Sequence, residues 1–184
     1  MSAHLLKPQD YRRTSWKNGG GVTTDIAHDG ELWRFSRTPI TASGPFSDYA
    51  GFDRMQMLVA GHGLVLETPD GEIDVRVPFK PVRFAGELAI TSRLEAGPVE
   101  VLNLLGDRSK VMLDLAVLEA GESRHLGSGR HIAYCPGGAA VARLGEEAFD
   151  LSADHALHLE QADGEVLACV TGRIVLGSVT CVSR

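Results

Sequence analysis

Several chemistries are absent from this sequence, and each absence excludes a class of protein. It has no Cys-x-x-Cys: Cys135, Cys169 and Cys181 are scattered and odd in number, so reduced structural thiols are expected rather than a disulfide frame or a thiolate zinc site. It has no basic run, and a net charge of −6 with a pI near 5.6 argues against nucleic-acid partners. Residues Met1 to Arg13 lack an apolar targeting core. The most apolar late stretch, Val166 to Val182, is broken by Thr171-Gly172-Arg173, so no membrane span is expected and the reading is cytoplasmic. No Gly-x-Ser-x-Gly elbow occurs, and no cysteine has a neighbouring histidine. The seven histidines are dispersed. His155 and His158, three apart in an expected strand, point to opposite faces, and His62 sits between Gly61 and Gly63 as a turn residue. No metal and no other cofactor is therefore expected.

Helical periodicity is also missing. The one weak stretch, Leu113 to Ala120, reads equally well as a strand by its Leu/Val alternation. What is present is a series of short β-rich segments closed by Gly, Pro or Asp: Leu32 to Ser36, Met55 to Val59, Leu64 to Thr68, Ile73 to Val77, Val82 to Phe84, Leu88 to Thr91 and Val99 to Leu105. This punctuation predicts an all-β protein. The second half repeats the first in pattern, with Leu58 to Glu67 lying against Ala133 to Ala142 and Val77 to Gly86 against Leu151 to Glu160, an offset of about 75 residues. A duplicated unit closed into a small barrel or jelly roll fits this pattern, with residues 1–108 and 109–184 as two intimately packed halves of one globular unit. A single long sandwich is the competing architecture.

The most unusual stretch is Ser15 to Ile26, with one tryptophan, one amide and three successive glycines ahead of a β-branched run. Successive free N–H groups can form an anion nest, and they equally make a turn. The following Val22 to Ile26 reads as a strand, so this is not a phosphate loop capping a helix. In Trp33-Arg34-Phe35-Ser36, alternation puts Arg34 and Ser36 on one face and the two aromatics on the other. Arg34 and Arg54 each offer a planar fork for a carboxylate, or an ordinary salt bridge. Asn103, a lone amide in the apolar strand Val101 to Leu105, must find partners if buried, either in a ligand or in the fold.

Taken in order, these motifs resemble the HutD/Ves family of bacterial cupin-fold proteins from about Trp16 to Arg108. The matching positions are Trp16, Asn18, Gly19, Gly21, Thr23, Asp25 and Ile26, then Trp33-Arg34-x-Ser36, Gly44 to Ser47, Tyr49-x-Gly51-x-Asp53-Arg54, Gly61 to Leu66, Pro78-Phe79 and Asn103. The resemblance implies a double-stranded β-helix, the cupin or RmlC-like jelly roll, present as two cupin-like barrels in one chain. It implies a pocket without the usual cupin metal set, and a small carboxylate-type ligand, formylated or urocanate-like, bound in a regulatory role in histidine utilisation. Two positions depart from the family pattern. Asp25 stands where the family has glutamate, and Val101 to Leu105 replaces an Asp-Phe-Asn-x-Met run, with Arg108 as the stand-in for a shifted arginine.

The site expected on this basis is ligand-binding rather than catalytic and comprises Trp16, Asn18, Gly19, Gly20, Gly21, Thr23, Asp25, Arg34, Ser36, Arg54 and Asn103. Arg54 or Arg34 would fork onto the carboxylate, Asn18 and the loop amides would orient it, and Trp16 would wall the pocket. A metal-free isomerase or lyase using Asp25 or a histidine as base is the first alternative, and a protein that binds a transcriptional regulator is the second. Homodimerisation is expected by fold-level analogy.

Overall fold

The structure, a computed structural model, describes residues 2–16 and 21–182. The strands in chain order begin with β1 (Ser2–Leu6), β2 (Arg12–Ser15), β3 (Val22–Asp29), β4 (Trp33–Ile40), β5 (Gly44–Pro45), β6 (Phe52–Ala60), β7 (Leu64–Thr68), β8 (Gly71–Asp74), β9 (Val82–Ala85), β10 (Thr91–Leu94) and β11 (Val99–Asp107). They continue with β12 (Val111–Glu119), β13 (Ser123–His125), β14 (Arg130–Tyr134), β15 (Ala139–Leu144), β16 (Glu147–Ser152), β17 (Ala156–Glu160), β18 (Val166–Thr171) and β19 (Arg173–Cys181). Among the described residues the only helical piece is a 3-10 turn at Pro8–Asp10. The ambiguous stretch at 113–120 lies in β12, where Val111, Leu113 and Leu115 are buried at every second position, the strand alternative of the sequence reading.

The chain divides into two compact units, Arg12–Lys110 and a second made of Met1–Tyr11 with Val111–Arg184. The division expected at 108/109 assigned the first eleven residues to the leading half. β1 instead pairs antiparallel with β17, Ser2 opposite Glu160 through Leu6 opposite Ala156. Five residues cannot stand alone as a strand in water, and β17 supplies the ladder that they need.

In Arg12–Lys110, a six-stranded antiparallel sheet in the order β2-β3-β4-β11-β6-β9 accompanies a four-stranded sheet in the order β5-β10-β7-β8. A core of Leu58, Leu64, Leu66, Val75, Ile90 and Val101 joins residues of both sheets. The second unit has a five-stranded sheet, β1-β17-β14-β19-β12, and a four-stranded sheet, β13-β18-β15-β16. Its core includes Ala133, Cys135, Leu157, Cys169 and Leu176, and both cysteines in it are free and buried. The run β4-β11-β6-β9 has the same order as β12-β19-β14-β17, and β5-β10-β7-β8 the same as β13-β18-β15-β16, each strand eight places later in the chain.

Two strands of the first unit are shifted from the segments read in the sequence. β8 ends at Asp74 because that side chain accepts the Arg76 N–H at 2.9 Å and turns the chain ahead of Pro78. β10 starts only at Thr91, because the Leu88 N–H is taken by Ala85 in a turn and the Ile90 carbonyl accepts the N–H of Phe46. The β6–β7 turn holds His62 between two glycines, as expected. Gly61 has φ +82°, and a Cβ there would lie 2.6 Å from the Pro98 carbonyl oxygen, so this position needs glycine twice over.

Candidate functional site

The six-stranded sheet of Arg12–Lys110 carries a cavity of about 490 Å³ on one face. Strand alternation explains its floor. On β4 the side chains of Arg34, Ser36, Thr38 and Ile40 line it, while Trp33 and Phe35 are buried on the opposite face. Antiparallel register then sets these side chains in rows across the strands. One row runs Thr14, Thr23, Thr38, Val101, since Thr14 pairs with Thr23 and Thr38 with Val101. The next runs Arg12, Asp25, Ser36, Asn103, Gln56. A third runs Arg34, Leu105, Arg54, Phe84. One end is thus hydroxyl-rich, the centre holds amides, and the other end carries two guanidinium groups.

The Arg54 side chain rises into a cage of aromatic rings. Its guanidinium carbon lies 5.0 Å from the centroid of Phe46, 5.1 Å from Phe84 and 5.5 Å from Tyr49. Among the described residues no carboxylate comes within 4.0 Å of it. Its nearest polar partner is the Asn103 Oδ1, which accepts from Nη2 at 3.4 Å. Burial pulls its pKa down to about 10, Tyr49 opposes the shift and neighbouring Arg34 adds to it, so the group is still a cation at neutral pH. Arg34 stands over the same Tyr49 ring at 5.8 Å and donates from Nη2 to the phenol oxygen at 3.1 Å. Its Nε lies 3.5 Å from Asp25 Oδ1.

Asp25 stands on the same face of the sheet, opposite Ser36, and is buried among its neighbours. Its side chain is fully covered, with Oδ2 accepting from Arg12 Nε and Thr14 Oγ1, each at 3.0 Å. A bulge in the pairing of β3 and β4 between Asp25 and Ala27 leaves Ile26 as the extra residue and sets Asp25 opposite Ser36. This carboxylate shares the cavity face of the sheet but is covered by its neighbours and engaged by Arg12, Arg34 and Thr14.

The wall opposite the floor comes from the segment that joins β4 to β6. Phe46 N–H donates to the Ile90 carbonyl at 2.9 Å, Tyr49 N–H to Gly86 at 3.0 Å, and Ser92 Oγ both donates to the Gly44 carbonyl at 3.0 Å and accepts its N–H at 3.3 Å. Within the floor, the buried Gln56 donates from Nε2 to Asn103 Oδ1 at 2.8 Å. A guanidinium has no acceptor, so the atom that Asn103 turns toward Arg54 must be its oxygen, and that in turn fixes the Gln56 amide.

Of the expected site residues, Trp16, Thr23, Arg34, Ser36, Arg54 and Asn103 line this one cavity. Asp25 is covered beside it, against Arg34 and Thr14. Gly21 accepts the Trp16 N–H at 2.9 Å and packs against the indole, where a Cβ would come within 3.1 Å of the ring, so it seats Trp16 rather than lining the cavity. Asn18, Gly19 and Gly20 fall outside the described residues. Arg108, the stand-in for a shifted arginine, is on the surface, paired with Glu87 and Asp53 and donating to the Phe52 carbonyl. Sequence reasoning missed Thr38, Tyr49 and Gln56. Thr38 and Gln56 follow from strand alternation, two residues along from Ser36 and Arg54 on the same strands. Tyr49 carries no such signal, because its position depends on where a loop is pinned. Among the described residues no three His, Cys, Asp or Glu side chains converge as metal ligands, and no helix is long and apolar enough to cross a membrane.

A 21.2 kDa Pseudomonas putida protein, described as uncharacterised and from the region 3′ of hutC, is 36% identical over 107 residues, 55% of this chain and 56% of the relative. The match therefore spans about half the length of that curated relative. Among solved structures, a conserved protein of unknown function from Pseudomonas aeruginosa superimposes with a TM-score of 0.88 at 23% identity, over 99% of this chain and all of that one. HutD from Pseudomonas fluorescens, from a formate condition, gives 0.84 at 24% identity with the same coverage. Salicylate 1,2-dioxygenase from Pseudoaminobacter salicylatoxidans gives 0.64 at 8% identity, over 97% of this chain and 82% of that one. These structural likenesses bear on fold, which is all-β and cupin-like. The HutD family itself matches from residue 8 to residue 176, most of the 184, and the chain belongs to that family.

Proposed function

We propose that this protein binds a small carboxylate-type molecule in the cavity of Arg12–Lys110, and that binding serves a regulatory role in histidine utilisation. The repeated strand order supports reading the chain as two cupin-like barrels, the first of which carries the site. The observation that carries the proposal is Arg54, a guanidinium enclosed by three rings, beside a second arginine, with no carboxylate of the described residues within 4.0 Å of it. A buried cation without a counter-charge is costly, and an anionic ligand supplies what is missing. The planar fork suits a carboxylate, and the hydroxyls and amides of the floor suit the remainder of a polar molecule. The hutC neighbourhood of the Pseudomonas putida relative supports the link to histidine utilisation. A formylated or urocanate-like acid has the required charge and size.

The test is calorimetric titration of metal-free protein with formate and pentanoate, repeated on Arg54→Ala. A charge-assisted hydrogen bond contributes about 1.5–3 kcal/mol, so the substitution should weaken binding by roughly ten- to a hundredfold. Equal affinity in the variant would sink the proposal.

A further inference from the structure

The hydroxyl-rich end of the cavity, two residues along each strand from the amide row, has a hydrogen-bond arrangement that does not close on itself. Trp16 donates its indole N–H to Thr23 Oγ1 at 2.9 Å, and Thr23 Oγ1 lies 3.2 Å from Thr38 Oγ1. The two threonines carry two hydroxyl protons, and the contact between them uses one. If Thr23 donates to Thr38, the Thr38 proton is left over; if Thr38 donates, the Thr23 proton is left over. Either way one proton has no acceptor among the described residues. Both side chains line the cavity, at 7% and 9% exposure. The indole N–H closes off the alternative in which Thr23 serves only as a donor, since it occupies an acceptor position on that oxygen.

We infer that Trp16, Thr23 and Thr38 form a second subsite that donates a hydrogen bond to a carbonyl or carboxylate oxygen at the far end of the ligand. The inference rests on the proposed anion site at Arg54 and extends it to a two-ended ligand. The spacing follows from the rows. Because Arg54 Nη2 reaches Asn103 Oδ1, the guanidinium stands over the row of Ser36 and Asn103, and Thr38 is one row further, about 7 Å at 3.4 Å per strand residue. An acid of about five carbons with an oxygen at each end spans that gap. The subsite offers a donor and asks for an acceptor, so it favours a terminal amide carbonyl or carboxylate over a methyl group.

The experiment compares three probes of equal chain length, pentanoate, glutarate and glutaramate, by calorimetry on the full chain. Wild type should bind glutarate and glutaramate about tenfold more tightly than pentanoate. In the double variant Thr23→Val/Thr38→Val that preference should disappear, and Thr38→Ser should retain it. Formate, too short to reach the threonines from Arg54, reports in the same variant that the anion end of the cavity is intact. A preference that persists in the double variant, or its absence from wild type, overturns the second subsite and leaves the anion site standing. If no acid binds wild type, the anion reading fails, and the second subsite fails with it.

Discussion

A methyl group on Gly86 would sit 2.3 Å from the carbonyl oxygen of Tyr49 and 3.0 Å from that of Phe52. Both neighbours are already tied to this residue, since Tyr49 N–H donates to its carbonyl and its own N–H donates to Phe52. Gly86→Ala therefore has to push away the segment that carries Tyr49, the ring shared by both cavity arginines. The expected cost is about 1–3 kcal/mol, read from the urea midpoint, together with weaker formate binding. Stability lost with formate affinity unchanged would show that Tyr49 does not set the arginines. At this scale the site was partly legible: period-two alternation set Arg34 and Ser36 on one face without any fold in hand, and Arg54 stood out as an arginine opening a strand after a turn-rich connection. Asn103 was legible only as a question, because its partners Arg54 and Gln56 lie 49 and 47 residues away in sequence. Asp25 shows the opposite case, a charge on the cavity face that packing covered and tied to Arg12 and Arg34.

At the scale of elements, the wall of the cavity begins at a two-residue strand paired with β10, and one hydroxyl of β10 engages both backbone groups of its first residue. Ser92 is 2% exposed and serves both the N–H and the carbonyl of Gly44. Ser92→Ala leaves those two backbone groups without this partner, a loss of about 1–3 kcal/mol. Hydrogen exchange should quicken across residues 44–49 and stay unchanged in β11, and uniform quickening would mean that the wall is not a separate unit of local stability. Strand segments with strong apolar content, such as β7 and β11, could be read from sequence within a residue or two. β1 could not. Ser-Ala-His-Leu-Leu has no alternation to speak of, and what makes it a strand is an edge contributed by residues 156–160. β8 and β10 moved because side-chain and turn hydrogen bonds, which composition does not reveal, decide where a ladder starts and stops.

For the whole molecule the pH response follows from two kinds of group. Burial pushes His158 below its ordinary value of 6.5, with Arg130 and His4 adding to the effect and Glu160 opposing it. The unfolded chain then takes up the proton at higher pH than the folded one, so stability is full above pH 6.5 and declines as the pH falls through the folded pKa. His158→Gln should flatten the fall in Tm between pH 6.5 and 5, and an identical profile would assign that fall to other groups. Further down, hydrogen bonds from Arg76 and Arg93 hold Glu95 at about 2, and those from Ser109 and Lys110 hold Asp107 at about 2. Their contribution is present above their ordinary values and is lost as the pH drops toward 2. Glu95 is exposed and Asp107 half-buried, so 0.5 M salt should blunt this acid limb, chiefly the part due to Glu95. The repeat was legible in the sequence because its turns recur at a fixed offset; the exchange of β1 was not, because pairing over such a separation leaves no periodic trace.

That exchange also orders events in time. During synthesis β1 leaves the ribosome more than 150 residues ahead of Glu160, the partner of Ser2. At 5–20 residues per second this is a wait of roughly 8–30 s, time enough for Arg12–Lys110 to fold between the two halves of one ladder. A bulky group fused ahead of Ser2 would thus be carried to the last edge to close, the free side of β17, and should slow maturation of the second unit far more than that of the first.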